Sequence, residues 1–170
     1  MKGETFCMHL YLLRHGIAED ARAGESDATR ALTSDGRRKL RQVLKAVAEA
    51  KVKPTLLWSS ELKRAIQTAE IAKAVLGYQG EILRTKALAP TADVEQVWEE
   101  IRVHRDETSL MLAGHNPQFD QLAPYLLGAP QLAVDFKKGA IMRIDIENFG
   151  ARPTGALCWY LTAKLSSSRE

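Results

Sequence analysis

Residues 10–16 read LYLLRHG, and the apolar part of that run does not alternate with polar residues. A strand that is polar at every second position can lie with one face in water. An unbroken apolar run has to be covered on both faces, as a central strand of a parallel sheet is covered by helices. The run also ends abruptly: after a strand over residues 8–13 come Arg14, His15 and Gly16. A guanidinium and an imidazole at the end of a buried strand require a partner, either an internal carboxylate or a ligand.

The rest of the chain repeats the alternation of strand and helix. Residues 17–30 are polar, rich in Ala, Asp and Glu, and read as a surface loop. Thr33 then caps a helix whose apolar stripe is Leu40, Val43, Leu44 and Val47. Residues 55–58 form a short strand ending at Ser59-Ser60, and Ser60 caps a helix over 61–76 that Gly77 closes. A strand over 82–88, a helix over 94–103 capped by Asp93, and a strand over 109–113 follow. That last strand ends at Gly114-His115-Asn116, and Pro117 opens a helix reaching about residue 127. Residues 140–146 and 156–162 pair as a hairpin across a Gly/Pro loop. This order predicts a three-layer α/β/α domain over residues 1–165, its sheet mainly parallel with an antiparallel margin, and a frayed Ser-rich tail over 166–170.

Composition narrows the function classes. With 24 basic and 21 acidic residues among 170, the net charge of +3 is too mild for a nucleic-acid or anionic-membrane protein. The runs Arg37-Arg38-Lys39 and Lys137-Lys138 read as solvated faces. Cys7 and Cys158 each sit in an apolar segment and read as inert core residues, which suits a reducing compartment. The N-terminal apolar run is broken by Glu4 and His9, and no stretch approaches the roughly 18 residues that span a bilayer, so a cytoplasmic location is expected. No His, Cys or Asp spacing suggests a metal site, neither cysteine has an arginine six residues on, and no Walker loop is present.

Ligands of open parallel sheets bind beyond the carboxyl ends of the strands. Three strand ends here carry polar residues: Arg14-His15-Gly16, Ser59-Ser60 followed by Arg64, and Gly114-His115-Asn116. If those strands are neighbours, two arginines and two histidines meet with no matching carboxylates, a combination that calls for a tetrahedral phosphate. The helix N-termini after Ser60 and Asn116 add backbone donors. A histidine in such a place can act as a nucleophile when the proton on its other nitrogen is held, commonly by a backbone carbonyl.

These blocks resemble those of the histidine phosphatase, or phosphoglycerate mutase-like, superfamily, and most of all its small SixA-type phosphohistidine phosphatases. The matching residues are Leu13-Arg14-His15-Gly16 with Ala18, Arg30 to Gly36, the run from Ser59 through Arg64 and Thr68 to Glu70, and Gly114-His115-Asn116-Pro117. The resemblance implies that His15 takes the phosphoryl group and that Arg14, Arg64, His115 and Asn116 bind phosphate. It also implies that no metal or organic cofactor takes part. Two departures bear on the substrate. Only 51 positions separate Arg64 from His115, too few for a large lid insertion, and Leu88 to Asp93 lacks the acid that relatives carry after the third strand. Glu19 and Asp20 are the candidate proton shuttles. The expected activity is hydrolysis of phosphohistidine on a phosphorylated protein, the family suggesting a histidine phosphotransfer domain, with inorganic phosphate as product. The alternatives are a small-molecule phosphomonoesterase and a non-catalytic phosphoprotein-binding module.

Overall fold

The computed structural model describes residues 6–167. Its single sheet has six strands, β1 (Met8–Arg14), β2 (Leu56–Ser59), β3 (Ile82–Arg84), β4 (Ser109–Gly114), β5 (Ile141–Ile146) and β6 (Ala156–Leu161), in the order β3-β2-β4-β1-β5-β6. The first four are mutually parallel; β5 runs antiparallel to β1 and to β6. The antiparallel margin is therefore the expected hairpin, with a register shift between Arg143 and Ile144.

Both faces are covered, as the unbroken run of β1 required. Met8, Leu10 and Leu12 face a core built with Trp98, Ile101, Phe119, Leu122 and Phe136, whereas Tyr11 and Leu13 face a second core with Leu40, Val43, Leu44 and Ile71. The first core belongs to helices α3 (Val94–Val103) and α4 (Gln118–Leu126), the second to α1 (Ser34–Glu49) and α2 (Lys63–Leu76). A short fifth helix, α5 (Ala163–Ser167), lies beside α1.

Several local readings hold in detail. Thr33 Oγ1 accepts from the Gly36 amide, Asp93 Oδ1 accepts from the Glu95 amide, and Gly77 closes α2 with φ 68°. Gly36 is fixed by close approach: a Cβ there would lie 2.2 Å from the Ile17 carbonyl oxygen, because the first turn of α1 packs on the backbone that leaves β1.

Other readings are corrected. The apolar run 82–88 is not one strand; β3 stops at Arg84, and Thr85 caps a 3-10 turn over Lys86–Leu88 by accepting from the Ala87 amide. The turn sends Ala87 and Leu88 into one core while Ile82 packs on the other, a division that a straight strand could not make. Ser60 does not cap α2, since Leu62 occupies the cap position without a side-chain bond. The tail does not fray from Ser166: Ser166 and Ser167 belong to α5, Ser166 is buried, and residues 168–170 lie outside the described part. The cysteines are not core residues; Cys7 is half-buried and Cys158 exposed. No described helix is long and apolar enough to cross a membrane.

Candidate active site

Because β2, β4 and β1 are adjacent and parallel, their carboxyl ends form one ledge, and the three polar strand ends meet there. The backbone ties the ledge together: the His15 amide donates to the Gly114 carbonyl at 3.0 Å and the Ser60 amide to the Ala113 carbonyl at 3.1 Å. The imidazoles of His15 and His115 stand 5.0 Å apart between ring centres. Both are buried, as is Arg64, while Arg14 is half-buried.

His15 Nδ1 lies 2.7 Å from the Gly16 carbonyl. A carbonyl only accepts, so the ring's proton sits on Nδ1 and the lone pair is left on Nε2. Burial pushes the His15 pKa down to about 4, with Arg64, Arg14 and Lys138 adding to the shift and the Gly16 carbonyl opposing it. The ring is neutral at neutral pH, and desolvation, more than the arginines, keeps it so.

His115 depends on Ser60. Its Nε2 is 2.6 Å from Ser60 Oγ, which already accepts from the Leu62 amide at 3.1 Å. The fully buried hydroxyl satisfies its own proton by donating to Nε2, so the His115 proton resides on Nδ1. Burial, then His15 and Arg64, lower the His115 pKa to about 3. Ser60 is thus a tautomer lock, a role that its position before a helix did not disclose.

The arginines are held from behind. Arg64 gives Nη1 to the Asp27 carbonyl (2.9 Å) and Nη2 to the Asp27 carboxylate (3.0 Å), which also pairs with Arg30. Arg14 donates to the Phe136 carbonyl. That carbonyl also receives Asn116 Nδ2 at 3.1 Å, while Asp120 accepts from both the Phe136 amide and Asn116. Thr68 Oγ1 accepts from the Gly16 amide at 3.2 Å and donates to the Arg64 carbonyl, tying the loop after β1 to the first turns of α2.

The structure therefore brings together Arg14, His15, Arg64 and His115, with Asn116 at the edge. It does not bring in the carboxylates of Glu19 and Asp20, which are exposed and hydrogen-bond to none of the four. The acid that reaches the cluster from that loop is Asp27, which sequence reasoning missed because nothing in an aperiodic polar loop marks one acid over another. Asp120, in the first turn of α4, carried no signal either, since its partner Phe136 is distant in sequence. The stretch without the usual acid is tied down by Gln118, whose Nε2 donates to the Ala87 and Ala92 carbonyls. Elsewhere, Cys7, His9 and Asp145 bring ligand-type atoms within 4.8 Å of one another, a grouping their spacing did not reveal. The Arg143 guanidinium already pairs with Asp145 at 2.7 Å and 2.8 Å and faces His9 Nδ1 at 2.9 Å, so a cation occupies that position.

What the main cluster can do follows from three atoms. Arg14 Nε, Arg64 Nε and His115 Nδ1 are buried donors with no partner among the described residues. Buried donors without acceptors are costly, charged ones most of all, unless an anion supplies the acceptors.

The family model for the histidine phosphatase superfamily (branch 1) matches residues 10–90. The chain belongs to that superfamily. Within this histidine phosphatase fold, the structure of the protein histidine phosphatase SixA complexed with tungstate superposes with a TM-score of 0.84 at 23% identity, covering 92% of this chain and 98% of that one. The alpha-ribazole phosphatase of Shigella flexneri superposes with a TM-score of 0.71 at 17% identity, covering 92% and 97%. An uncharacterized protein of Picosynechococcus sp. is 30% identical over 137 residues, 79% of this chain and 83% of that protein. As a histidine phosphatase, the chain is a phosphate-handling hydrolase.

Proposed function

We propose that the protein hydrolyses phosphohistidine on a partner protein through a phosphohistidine intermediate at His15. The observation that carries this reading is the His15 ring itself, neutral, protonated at Nδ1 by virtue of the Gly16 carbonyl, and hence nucleophilic at Nε2. Nε2 attacks phosphorus, and the bond from phosphorus to the substrate's imidazole nitrogen breaks. The electron pair leaves with that nitrogen, which takes a proton from solvent. Water then attacks the phosphoryl group on His15, the P–Nε2 bond breaks, and inorganic phosphate departs. Arg14, Arg64 and the Nδ1 proton of His115 stabilise the oxygens through both steps, and positioning with electrostatics supplies most of the rate.

The choice of phosphohistidine is supported by what surrounds the cluster. No segment long enough for a lid lies between Arg64 and His115, which suits a phosphoryl group projecting from another protein. The N–P bond also asks less of a general acid than an alkyl ester, and residues 87–93 offer none beyond Asp93, which is used as a helix cap. A small-molecule phosphomonoesterase is the second reading, favoured by the fold's likeness to the alpha-ribazole phosphatase. Comparing kcat/KM on a phosphohistidine protein, a small phosphoramidate and a sugar phosphate tests the choice. Preference for the first two, with an acid-labile phosphoryl label absent in His15→Ala, is the expected result; preference for the sugar phosphate overturns it.

A further inference from the structure

Beside Arg14 opens a groove of about 940 Å³ that the chemistry above does not use. Its walls come from four separate parts of the chain: the end of β1 with the loop after it, α1, the segment before β5, and α5 with the residue before it. Arg14, Arg38, Lys39, Lys137, Lys138 and Lys164 line it, and Asp135 is the one carboxylate among its lining residues. Six of the chain's 24 basic side chains and one of its 21 acidic ones are gathered there, which leaves the remainder of the chain net acidic. The overall charge of +3 thus includes a local excess of cations beside the phosphate cluster. The basic runs at 37–39 and 137–138, far apart in sequence, each contribute to this one surface.

We propose that this groove docks an acidic face of the phosphoprotein whose phosphoryl group His15 receives. The inference rests on the phosphohistidine reading and names the charge character of the partner. The form of the cations favours a protein face over a second anionic group on a small substrate. Arg38 and Lys137 are exposed and Lys39 is half-buried, and each already pairs with a carboxylate of its own segment, Asp35 or Asp135. A small-molecule subsite needs buried, converging donors that hold one anion in one place. Long side chains spread around a wide groove act instead through summed field, which steers and orients a large acidic partner.

The test uses three phosphohistidine peptides with Glu-rich, neutral and Lys-rich flanks, and the full chain with Arg38→Glu, Lys39→Glu and Lys137→Glu combined. In the unaltered protein the Glu-rich peptide should be preferred over the Lys-rich one by about tenfold in kcat/KM at low ionic strength. The difference should reside in KM and fade at about 0.5 M salt. The triple variant should lose that preference while hydrolysing p-nitrophenyl phosphate within about twofold of the parent. No preference in the parent, a preference that survives in the variant, or an equal loss on p-nitrophenyl phosphate overturns the proposal. Failure of the underlying reading is distinguishable: the parent would then cleave p-nitrophenyl phosphate and no phosphohistidine peptide. In that event an unphosphorylated Glu-rich peptide decides, since the groove predicts inhibition of p-nitrophenyl phosphate hydrolysis in the parent and none in the variant, and its absence overturns the groove. A carboxylated sugar phosphate that depends on the three cations more than the peptides do also overturns the protein-face assignment.

Discussion

The phosphate cluster and the basic groove beside it are both cationic, yet they are built in opposite ways. His15, Arg64 and His115 are buried and held by backbone carbonyls, a hydroxyl and Asp27, so their donors point where the fold puts them. Arg38 and Lys137 stand in solvent and Lys39 at its margin, all on flexible stems tied to side chains nearby in sequence, Asp35, Gln42 and Asp135. Fixed, desolvated groups act on a transition state, whose geometry they match; mobile, solvated ones act on approach and orientation. Substitutions in the cluster should therefore cost rate on every substrate, and those in the groove only on substrates large enough to reach it.

The sharpest break in that comparison is His15→Ala, which should lower kcat by at least about 10⁴-fold on phosphoprotein and small substrates alike. Steady-state turnover on both substrates checks it, and a loss confined to one would undo the division. Arg64→Ala and His115→Ala should each lower kcat/KM by about 10² to 10³, again without regard to substrate size. Gly36→Ala probes how rigidly the cluster is mounted: a Cβ 2.2 Å from the Ile17 carbonyl should destabilise the fold by about 2–4 kcal/mol. Urea unfolding gives the stability, and a fall in kcat alongside it would show that the displaced backbone reaches His15. Ser60→Ala should cost about tenfold in kcat/KM, the equivalent of one hydrogen bond worth about 1.4 kcal/mol. Its signature is the ¹⁵N shift of His115, whose proton should no longer be confined to Nδ1; an unchanged tautomer would remove Ser60 from the site.

The smallest effects concern pH. In the free enzyme kcat/KM should stay level through pH 6.5 and fall only as His15 protonates near its lowered pKa of about 4. Because His15 and His115 interact, the acid limb reports the pair. Both rings bind protons more readily unfolded than folded, so stability should decrease as pH falls from about 6.5 towards 4. A midpoint of inactivation near 6.5 would mean that His15 is solvated.

Much of this architecture was legible along the chain because its causes are local. The unbroken apolar character of β1, the caps Thr33 and Asp93, the left-handed Gly77 and the hairpin each follow from a few neighbouring residues. The four site residues were legible for a different reason: each sits at or just beyond a strand's carboxyl end, inside a block that resembles those of the superfamily, and Arg14, His15 and Arg64 lie within the matched residues 10–90. Where two demands competed, local reading failed. The run 82–88 looked like a strand, but Thr85 turned it so that its two halves could enter different cores.

By itself the sequence determined that β1 must be central, that helices must cover both faces, and which four side chains the strand ends would present. Only the tertiary structure decided what those side chains lean on: Ser60 against His115, Asp27 against Arg64, and the Phe136 carbonyl between Arg14 and Asn116. It likewise decided that two basic runs a hundred residues apart share one groove. The physical reason is range. Propensity, capping and apolar period act over a few residues, whereas hydrogen-bond partners and summed charge depend on which strands are neighbours, and that order, β2-β4-β1, is not the order of the chain.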